Sequence, residues 1–168
     1  MTHEAPRPPK LVPELYVSNI EHSVAFYRDK LGFTVTYERL EEAFAYLDRE
    51  GAQLMLSEPV GRLFLVGELF RPFGVGMNLQ IEVGDIEPMY VDVSAQLLDL
   101  LYALHDSWYR RGDELVGHRQ FVLEDPDGYV LRFFQDLGTR PVEYPEQGLP
   151  NDPRLQQRPE PKPGPSFF

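Results

Sequence analysis

The chain has 168 residues, no cysteine and a formal net charge of −11. This length suits one compact domain or two small modules with a common core, and the missing thiols exclude disulfides, thiolate metal sites and cysteine nucleophiles. The acidic balance disfavours nucleic acid and anionic membranes and favours cationic ligands. No apolar run approaches the roughly 18 residues of a membrane span, and the N-terminus has no signal-peptide pattern. The absence of cysteine fits the cytoplasmic location that we expect.

The first third of the chain predicts a strand, a helix and three further strands. We expect residues 1–10 to form an N-terminal arm, and an alternating strand follows it. Asn19 is a good N-cap for a helix with apolar residues at helical spacing, and Gly32 ends that helix. The segment 44–56, FAYLDREGAQLML, places a turn between two apolar runs and therefore predicts a hairpin.

The second half repeats this order. The segment 83–87, VGDIE, matches 17–21, VSNIE, and 121–133, FVLEDPDGYVLRF, aligns without a gap with FAYLDREGAQLML. Asp85 is the second N-cap, and leucines at 97, 98, 101 and 104 predict a helix that continues to about His105. The repeat predicts an α+β fold of two βαβββ modules, at about 10–58 and 75–136, which cannot bury their sheets separately.

The C-terminal segment has a different composition from the repeats. Eight of the sixteen prolines fall within residues 140–168, which show no apolar periodicity. Such a segment does not form a core of its own. We therefore expect a tandem domain over 11–138, followed by an extended proline-rich arm over 139–168.

Strand alternation gives each predicted sheet one apolar face and one mixed face. The mixed faces carry Glu14, Tyr16, Gln53, Asn78, Gln80, Glu82 and Arg132. An antiparallel sheet with one solvated face explains such a set. Two modules side by side, however, would curve these faces into a shared groove with the character of a ligand site, and we favour that interpretation.

These segments also resemble a known family. VPELYVSNIEHSVAFYRDKLGF, FAYLDREGAQLML, VGDIEPMY and FVLEDPDGYVLRFF, in this order, are similar to the glyoxalase, bleomycin-resistance and extradiol-dioxygenase superfamily, the vicinal oxygen chelate fold. The resemblance covers about residues 11–138. It implies paired βαβββ modules that form an incomplete barrel around a groove.

The resemblance also locates the metal-ligand positions of the metal-dependent members, which fall here on Val12, Met55, Asn78 and Arg132. Valine has no donor atom, and a thioether is a poor ligand for hard or borderline metals. Arginine stays protonated and repels a cation. We therefore expect no metal, no other cofactor and no catalytic residue at this site.

The metal-free branch of the family then implies the function. Its bleomycin-resistance proteins are homodimers that sequester cationic, planar antibiotics without chemistry, and Tyr37, Phe44 and Ser57 fall on positions that line their groove. Glu14 or Glu82 would hold the cationic part of a ligand. The predicted ligand-binding set is Glu14, Tyr16, Tyr37, Phe44, Met55, Ser57, Asn78, Gln80, Glu82, Trp108, Arg119 and Arg132.

One position departs from the drug-binding pattern. The groove tryptophan of the relatives aligns with Gly117, and the only tryptophan here is Trp108. Trp108 would either stack from a neighbouring loop or cap the core beneath the second helix. This departure puts bleomycin itself in doubt, although a small cationic or aromatic ligand still fits.

Two other functions remain open. A lyase or isomerase with the glyoxalase or dioxygenase fold would use Arg132 to hold an anionic substrate and Glu14 or Glu82 as the base. A carboxylate beside arginine has a lowered pKa and is a weak base, which counts against this reading. The other alternative is an interaction module whose groove binds its own proline-rich tail.

Overall fold

A computed structural model of the chain describes residues 9–61 and 63–142. Most of the predicted N-terminal arm and most of the predicted C-terminal arm lie outside these residues, so both arms remain predictions. In the described ranges, no helix is long and apolar enough to span a bilayer.

The first module forms a four-stranded sheet with one helix. Its elements are β1 (Glu14–Tyr16), α1 (Ile20–Ala25), β2 (Thr34–Arg39), β3 (Phe44–Arg49) and β4 (Ala52–Ser57). Helix α1 continues as a π-helical turn over Phe26–Lys30, and a short 3₁₀ turn over Leu40–Glu42 follows β2. The strand order is β1-β4-β3-β2, in which β1 is parallel to β4 and the other pairs are antiparallel.

The second module repeats this topology with longer strands. It contains β5 (Asn78–Glu82), α2 (Ile86–Ala95), β6 (Leu100–Arg111), β7 (Glu114–Glu124) and β8 (Val130–Pro141), in the order β5-β8-β7-β6. The parallel pair is again the first strand with the last. The duplicated α+β modules are thus confirmed, and the two sheets stay open and do not close into a barrel. Strand β8 runs past residue 138, into the segment that the sequence assigns to the arm.

Helix starts and turns follow the predicted chemistry. Asn19 Oδ1 accepts a hydrogen bond of 2.8 Å from the His22 N–H, and Asp85 Oδ1 accepts one of 3.3 Å from Glu87. Gly51 and Gly128 adopt φ of 89° and 93° in the β3–β4 and β7–β8 turns. These values are open to glycine at little cost, which explains why both copies of the hairpin have glycine there.

The predicted extent of the second helix is wrong. Helix α2 ends at Ala95 rather than near His105, and Leu97 has a left-handed φ of 55°. The leucines at helical spacing belong instead to a turn and to β6, where Leu100 and Leu104 pack on the core and Leu101 is exposed. A short apolar run fits both the helical and the strand periodicity, so the spacing of the leucines does not distinguish a helix from a strand.

One hydrophobic core serves both modules. It joins Leu15, Tyr27 and Leu56 of the first module to Ile86 and Phe133 of the second, and all five are fully buried. Each sheet buries the face that its helix covers. Neither module therefore has a separate core, as the repeat predicted.

Two hairpin turns connect the modules reciprocally. The Glu50 carboxylate accepts a 2.7 Å hydrogen bond from the Gly84 N–H, just before α2. The Asp127 carboxylate accepts a 3.1 Å hydrogen bond from the Ser18 N–H, just before α1. Because these residues are equivalent in the repeat, each module caps the strand-to-helix junction of the other.

A second buried carboxylate supports the β7–β8 turn. Asp125 accepts the Tyr27 hydroxyl at 2.8 Å and the backbone N–H groups of Asp127 and Tyr129 at 3.0 and 2.8 Å. Burial nevertheless raises the pKa of Asp125 above its ordinary value, and it raises the pKa of Tyr129 to about 12. The hydroxyl of Tyr129 donates to the Tyr16 carbonyl at 3.0 Å, so this group also joins the two modules.

Candidate ligand-binding site

The six predicted site residues of the first module lie on one face of its sheet. The register pairs Glu14 with Met55 and Ser57 with both Tyr16 and Phe44. Because directly paired residues point to the same side of a sheet, these side chains share a face. We call it the first open face; it carries Glu14, Tyr16, Tyr37, Phe44, Met55 and Ser57.

Aromatic rings form the centre of the first open face. Tyr37 stacks on Tyr46 with ring centroids 5.1 Å apart and lies 5.9 Å from Phe44. The guanidinium of Arg39 lies 3.7 Å above the Phe44 ring. Tyr37 is 46% exposed and Phe44 is buried, so Tyr37 offers its ring to solvent while Phe44 supports it.

Tyr46 was not predicted as a site residue, although alternation from Phe44 places it on the same face. Its hydroxyl donates to Gln53 Oε1 at 2.7 Å, and Gln53 donates to Asp48 at 2.8 Å. The ring is therefore fixed by a polar chain as well as by stacking. The sequence signal that identifies Tyr46 is the alternation along β3, the same signal that identifies the open-face residues of β4.

Tyr16 and Ser57 are less available to a ligand than predicted. Tyr16 is buried, and its hydroxyl accepts the N–H of Phe64 in the linker between the modules at 2.9 Å. Ser57 is half-buried, and its hydroxyl lies 3.3 Å from the Glu58 carbonyl. Both residues lie on the first open face, but the hydroxyl of Tyr16 already bonds within the chain.

Four predicted residues of the second module also share a face. The register pairs Asn78 with Val130, Gln80 with Arg132 and Glu82 with Phe134. Strand β7 adds Gln120 and Val122, which pair with Phe134 and Arg132. We call it the second open face; it carries Asn78, Gln80, Glu82, Gln120, Val122, Val130, Arg132 and Phe134.

Arg132 contacts neutral oxygens on this face. Its guanidinium lies 3.4 Å from Asn78 Oδ1 and 3.3 Å from both the Tyr109 hydroxyl and Gln120 Oε1. All three distances exceed those of strong charge-assisted hydrogen bonds. The charged residue at the middle of an apolar strand thus faces an amide and hydroxyl network rather than a carboxylate.

Gln120 is the centre of that network, and sequence reasoning missed it. It is buried, and its Nε2 lies 2.7 Å from the Tyr109 hydroxyl, 3.2 Å from Ser107 Oγ and 3.2 Å from His105 Nε2. The sequence predicts a helix as far as about His105, so the N-terminal half of β6 is not expected as a strand beside β7. Only the β6–β7 register brings these groups together.

His118 completes the second open face. Its ring packs against Phe134 with centroids 4.2 Å apart, and Nδ1 lies 3.5 Å from Gln80 Nε2. Burial lowers the pKa of His118 below its ordinary value; Arg132 lowers it further, while Asp136 and Glu82 oppose the shift. The imidazole is therefore mainly neutral at neutral pH, and Arg132 is the positive charge of this face.

Trp108 and Arg119 lie on the opposite side of the second sheet. Trp108 pairs with Gly117, packs against it and lies beneath the Arg140 guanidinium at 3.9 Å. Arg119 binds Asp106 at 2.8 Å and Glu87 of α2 at 2.7 Å. Because neighbouring residues of a strand alternate in direction, neither side chain faces Arg132. Trp108 also belongs to a strand, so the proposal that it stacks from a loop is wrong.

An open cavity of about 800 Å³ borders the second open face. We call it the Arg132 cavity. Its lining comes from the end of the linker and from the second module, and includes Val75, Met77, Asn78, Tyr102, Val122 and Arg132. Arg132 and Asn78 bring polar groups to a wall that is otherwise mainly apolar.

The family's metal positions do not form a suitable donor set. Met55 donates its N–H to the Pro13 carbonyl at 2.9 Å, next to Val12, which has no donor atom. Asn78 Oδ1 already faces the Arg132 guanidinium. Across residues 9–61 and 63–142, no group of three or more His, Cys, Asp or Glu side chains has a metal-binding arrangement. The residues present therefore do not fit the metal of the metal-dependent relatives.

Comparison with known proteins now defines the family. The model of the Glyoxalase/Bleomycin resistance protein/Dioxygenase superfamily matches residues 11–62. Proteins named bleomycin resistance protein from Geobacillus stearothermophilus and Staphylococcus aureus are 30% identical over 137 residues, which cover 75% of this chain and 96% of theirs. The chain belongs to the glyoxalase/bleomycin resistance protein/dioxygenase superfamily.

Solved structures show the same fold. TioX from Micromonospora sp. ML1 is 19% identical, with a TM-score of 0.60 over 77% of this chain and 100% of its own. A protein of unknown function from Agrobacterium tumefaciens str. C58 is 24% identical, with a TM-score of 0.57 over 80% of this chain and 98% of its own. At these identities the likeness concerns the fold alone.

Proposed function

We propose that this protein binds a cationic, aromatic antibiotic of the bleomycin type and sequesters it without a metal and without chemical change. The observation that carries the proposal is the stacked Tyr37–Tyr46 pair on the face that also holds Glu14. It occurs in a chain that is 30% identical to bleomycin resistance proteins over most of its length.

The chemistry of the first open face suits such a ligand. Flat heteroaromatic rings stack on tyrosine, and a cation is attracted both by the ring faces and by carboxylates. Glu14 is exposed on this face, and Glu82 is exposed on the second open face. The net charge of −11 adds a long-range attraction for cations that weakens with salt.

We further propose a homodimer in which open faces of two protomers line each groove. The linker supports an interface, because it exposes Val66 and Phe70 by 108% and 64%. Exposed apolar side chains grouped in one segment are typical of protein contacts. A dimer would cover them and add a second wall above each open face.

A lyase or isomerase of this fold is the less supported function. The metal-dependent reaction needs a divalent ion bound to the substrate, and Val12 and Arg132 are unsuited to that ion. The residues therefore favour binding over turnover.

The test is calorimetric titration of the full chain with bleomycin, combined with metal analysis of the protein and mass spectrometry of the recovered ligand. We expect binding of one ligand per protomer, no stoichiometric metal and an unaltered ligand. Tyr37→Ala should weaken binding about tenfold, the size of a lost stacking contact, while Tyr37→Phe keeps the ring and the affinity.

Three outcomes would contradict the proposal. The first is absence of binding by bleomycin and by related cationic glycopeptides. The second is stoichiometric Mn, Fe, Ni or Zn in the purified protein, and the third is a chemically changed ligand. The dimer is tested separately by light scattering, where a monomer at micromolar concentration would exclude it.

A further inference from the structure

We propose that the Arg132 cavity binds a small organic anion, namely a carboxylate on an apolar or aromatic body. This site would take a ligand group of the opposite charge to the antibiotic. The inference does not depend on antibiotic binding, because it concerns the second module and is tested with a different compound.

The shape of the cavity sets the size and polarity of the ligand body. Its volume of about 800 Å³ lies within the range of sites for drug-sized molecules. The apolar part of its wall includes Val75, Met77, Tyr102, Val122 and Val130. A small hydrated anion would gain little from contact with such an apolar wall, whereas an apolar or aromatic body would displace water from it.

The charge of Arg132 supplies the anionic preference. Six arginines within residues 9–61 and 63–142 pair with carboxylates at 4 Å or less: Arg28, Arg39, Arg49, Arg71, Arg111 and Arg119. Over the same residues Arg132 has no such ion pair, and its contacts are the neutral oxygens of Asn78, Tyr109 and Gln120. In a chain with 27 acidic and 16 basic residues, a half-buried guanidinium without a carboxylate is available to a ligand anion.

The geometry favours a carboxylate in place of these contacts. The guanidinium contacts in the chain are 3.3–3.4 Å long, whereas a carboxylate forms shorter charge-assisted hydrogen bonds, often two in parallel. Arg132 and Asn78 both line the cavity, so a carboxylate at this point reaches the charge and an amide.

One acidic residue of the wall sets the orientation. Glu124 pairs with Val130 and Val122 pairs with Arg132, so Glu124 lies two residues farther along the same face. Its charge repels an anion and directs the carboxylate toward Arg132 and Asn78. The apolar body of the ligand then lies along Val122, Val130 and Met77.

The experiment compares the binding of three naphthalene compounds to the full chain, measured by titration calorimetry and by NMR mapping of backbone amide chemical shifts. These are naphthalene-1-acetate, the neutral naphthalene-1-acetamide and the cationic 1-naphthylmethylamine. We expect the acetate to bind at least about tenfold more tightly than the amide, as a charge-assisted pair implies, and the amine to bind least. Shifts should fall on β5, β7 and β8.

Two variants and a control define the role of Arg132. Arg132→Gln should remove the preference for the acetate over the amide. Asn78→Asp places a carboxylate beside the guanidinium and should have the same effect while the arginine is kept. Arg28→Gln removes an equal charge from an exposed pair with Asp29 and should leave all three affinities unchanged. Thermal unfolding of each variant separates loss of fold from loss of binding.

The proposal is wrong if the amide binds as tightly as the acetate. It is equally wrong if folded Arg132→Gln or folded Asn78→Asp keeps the preference, or if Arg28→Gln loses it to the same extent. Bleomycin titration is a separate measurement, so a negative result there rejects the antibiotic proposal and leaves this one standing.

Discussion

The two modules share one internal pattern and differ on their open faces. In both, a parallel pair of strands, a capped helix and a hairpin with a left-handed glycine bury the same kind of apolar face. The first open face has Tyr37 stacked on Tyr46, whereas the second has Gln120 and Arg132 within a polar network. The buried face fixes the fold of each copy, and the open face is free to acquire different ligand chemistry.

Strand length is the other difference between the copies. Strands β2, β3 and β4 have six residues each, while β6, β7 and β8 have 12, 11 and 12. The added length carries Ser107 and Tyr109, which reach the Gln120 network. The second module thus obtains much of its polar face from residues with no counterpart in the first.

Substitution of the turn glycines should give the largest difference in stability loss between the two modules. Gly128→Ala should destabilise the protein far more than Gly51→Ala. Both changes place alanine at a positive φ, which costs about 1–2 kcal/mol, but a methyl group at 128 would also collide with Pro72. That collision adds about 1–3 kcal/mol, whereas position 51 is open. Urea unfolding measures both, and equal losses would refute the closer packing of the second turn.

Removal of the two reciprocal carboxylates, Asp127 and Glu50, should give a smaller difference in stability loss. Asp127→Ala leaves the Ser18 N–H and the buried Ser23 hydroxyl without their acceptor, and we expect a loss of about 2–3 kcal/mol. Glu50→Ala removes an exposed contact to the Gly84 N–H and should cost below about 1 kcal/mol. Urea unfolding of both variants measures the two losses. A larger loss for Glu50→Ala than for Asp127→Ala would contradict this account of the contacts between the modules.

Ligand preference should separate the two open faces. Tyr46→Leu removes the ring beneath Tyr37 and should lower bleomycin affinity about threefold to tenfold, with naphthalene-1-acetate binding unchanged. Arg132→Gln should lower naphthalene-1-acetate affinity and leave the stack intact. Calorimetry of both ligands on both variants measures this, and parallel losses in each variant would mean that the two faces form a single site.

The smallest expected effect is the pH response of His118. Because burial lowers its pKa, the unfolded chain binds more protons than the native protein between the lowered pKa and the ordinary value near 6.5. Native stability should therefore fall as pH decreases through this interval. His118→Gln should reduce that decrease relative to the wild type in unfolding curves at pH 7.5 and 5.5, and an unchanged slope would assign the effect to other groups.

Local chemistry made much of the fold predictable. The N-caps at Asn19 and Asp85 and the turn glycines at 51 and 128 act through their own backbone, so a short window of sequence identifies them. The alternation of β1, β4, β5 and β8 likewise predicted the faces of Glu14, Met55, Gln80 and Arg132. These features need no knowledge of distant residues.

What could not be predicted depended on partners far along the chain. The leucines at 97–104 fit a helix, and only pairing with β7 makes part of that segment a strand. Register shifts near Tyr102 and Val116 then decide which β6 and β7 side chains face Arg132. Arg119 was assigned to the site without that register, and Gln120 was overlooked for the same reason.

Trp108 gives the molecule a built-in optical probe of one particular region. It is the only tryptophan of the chain, and it lies between Gly117 and the Arg140 guanidinium on the side of the second sheet opposite Arg132. Its emission therefore responds to fraying of the long β6–β7–β8 extension rather than to occupancy of either open face. Fluorescence and calorimetry of one sample would therefore report separate events. Fluorescence would report opening of the hairpin end, and calorimetry would report ligand binding.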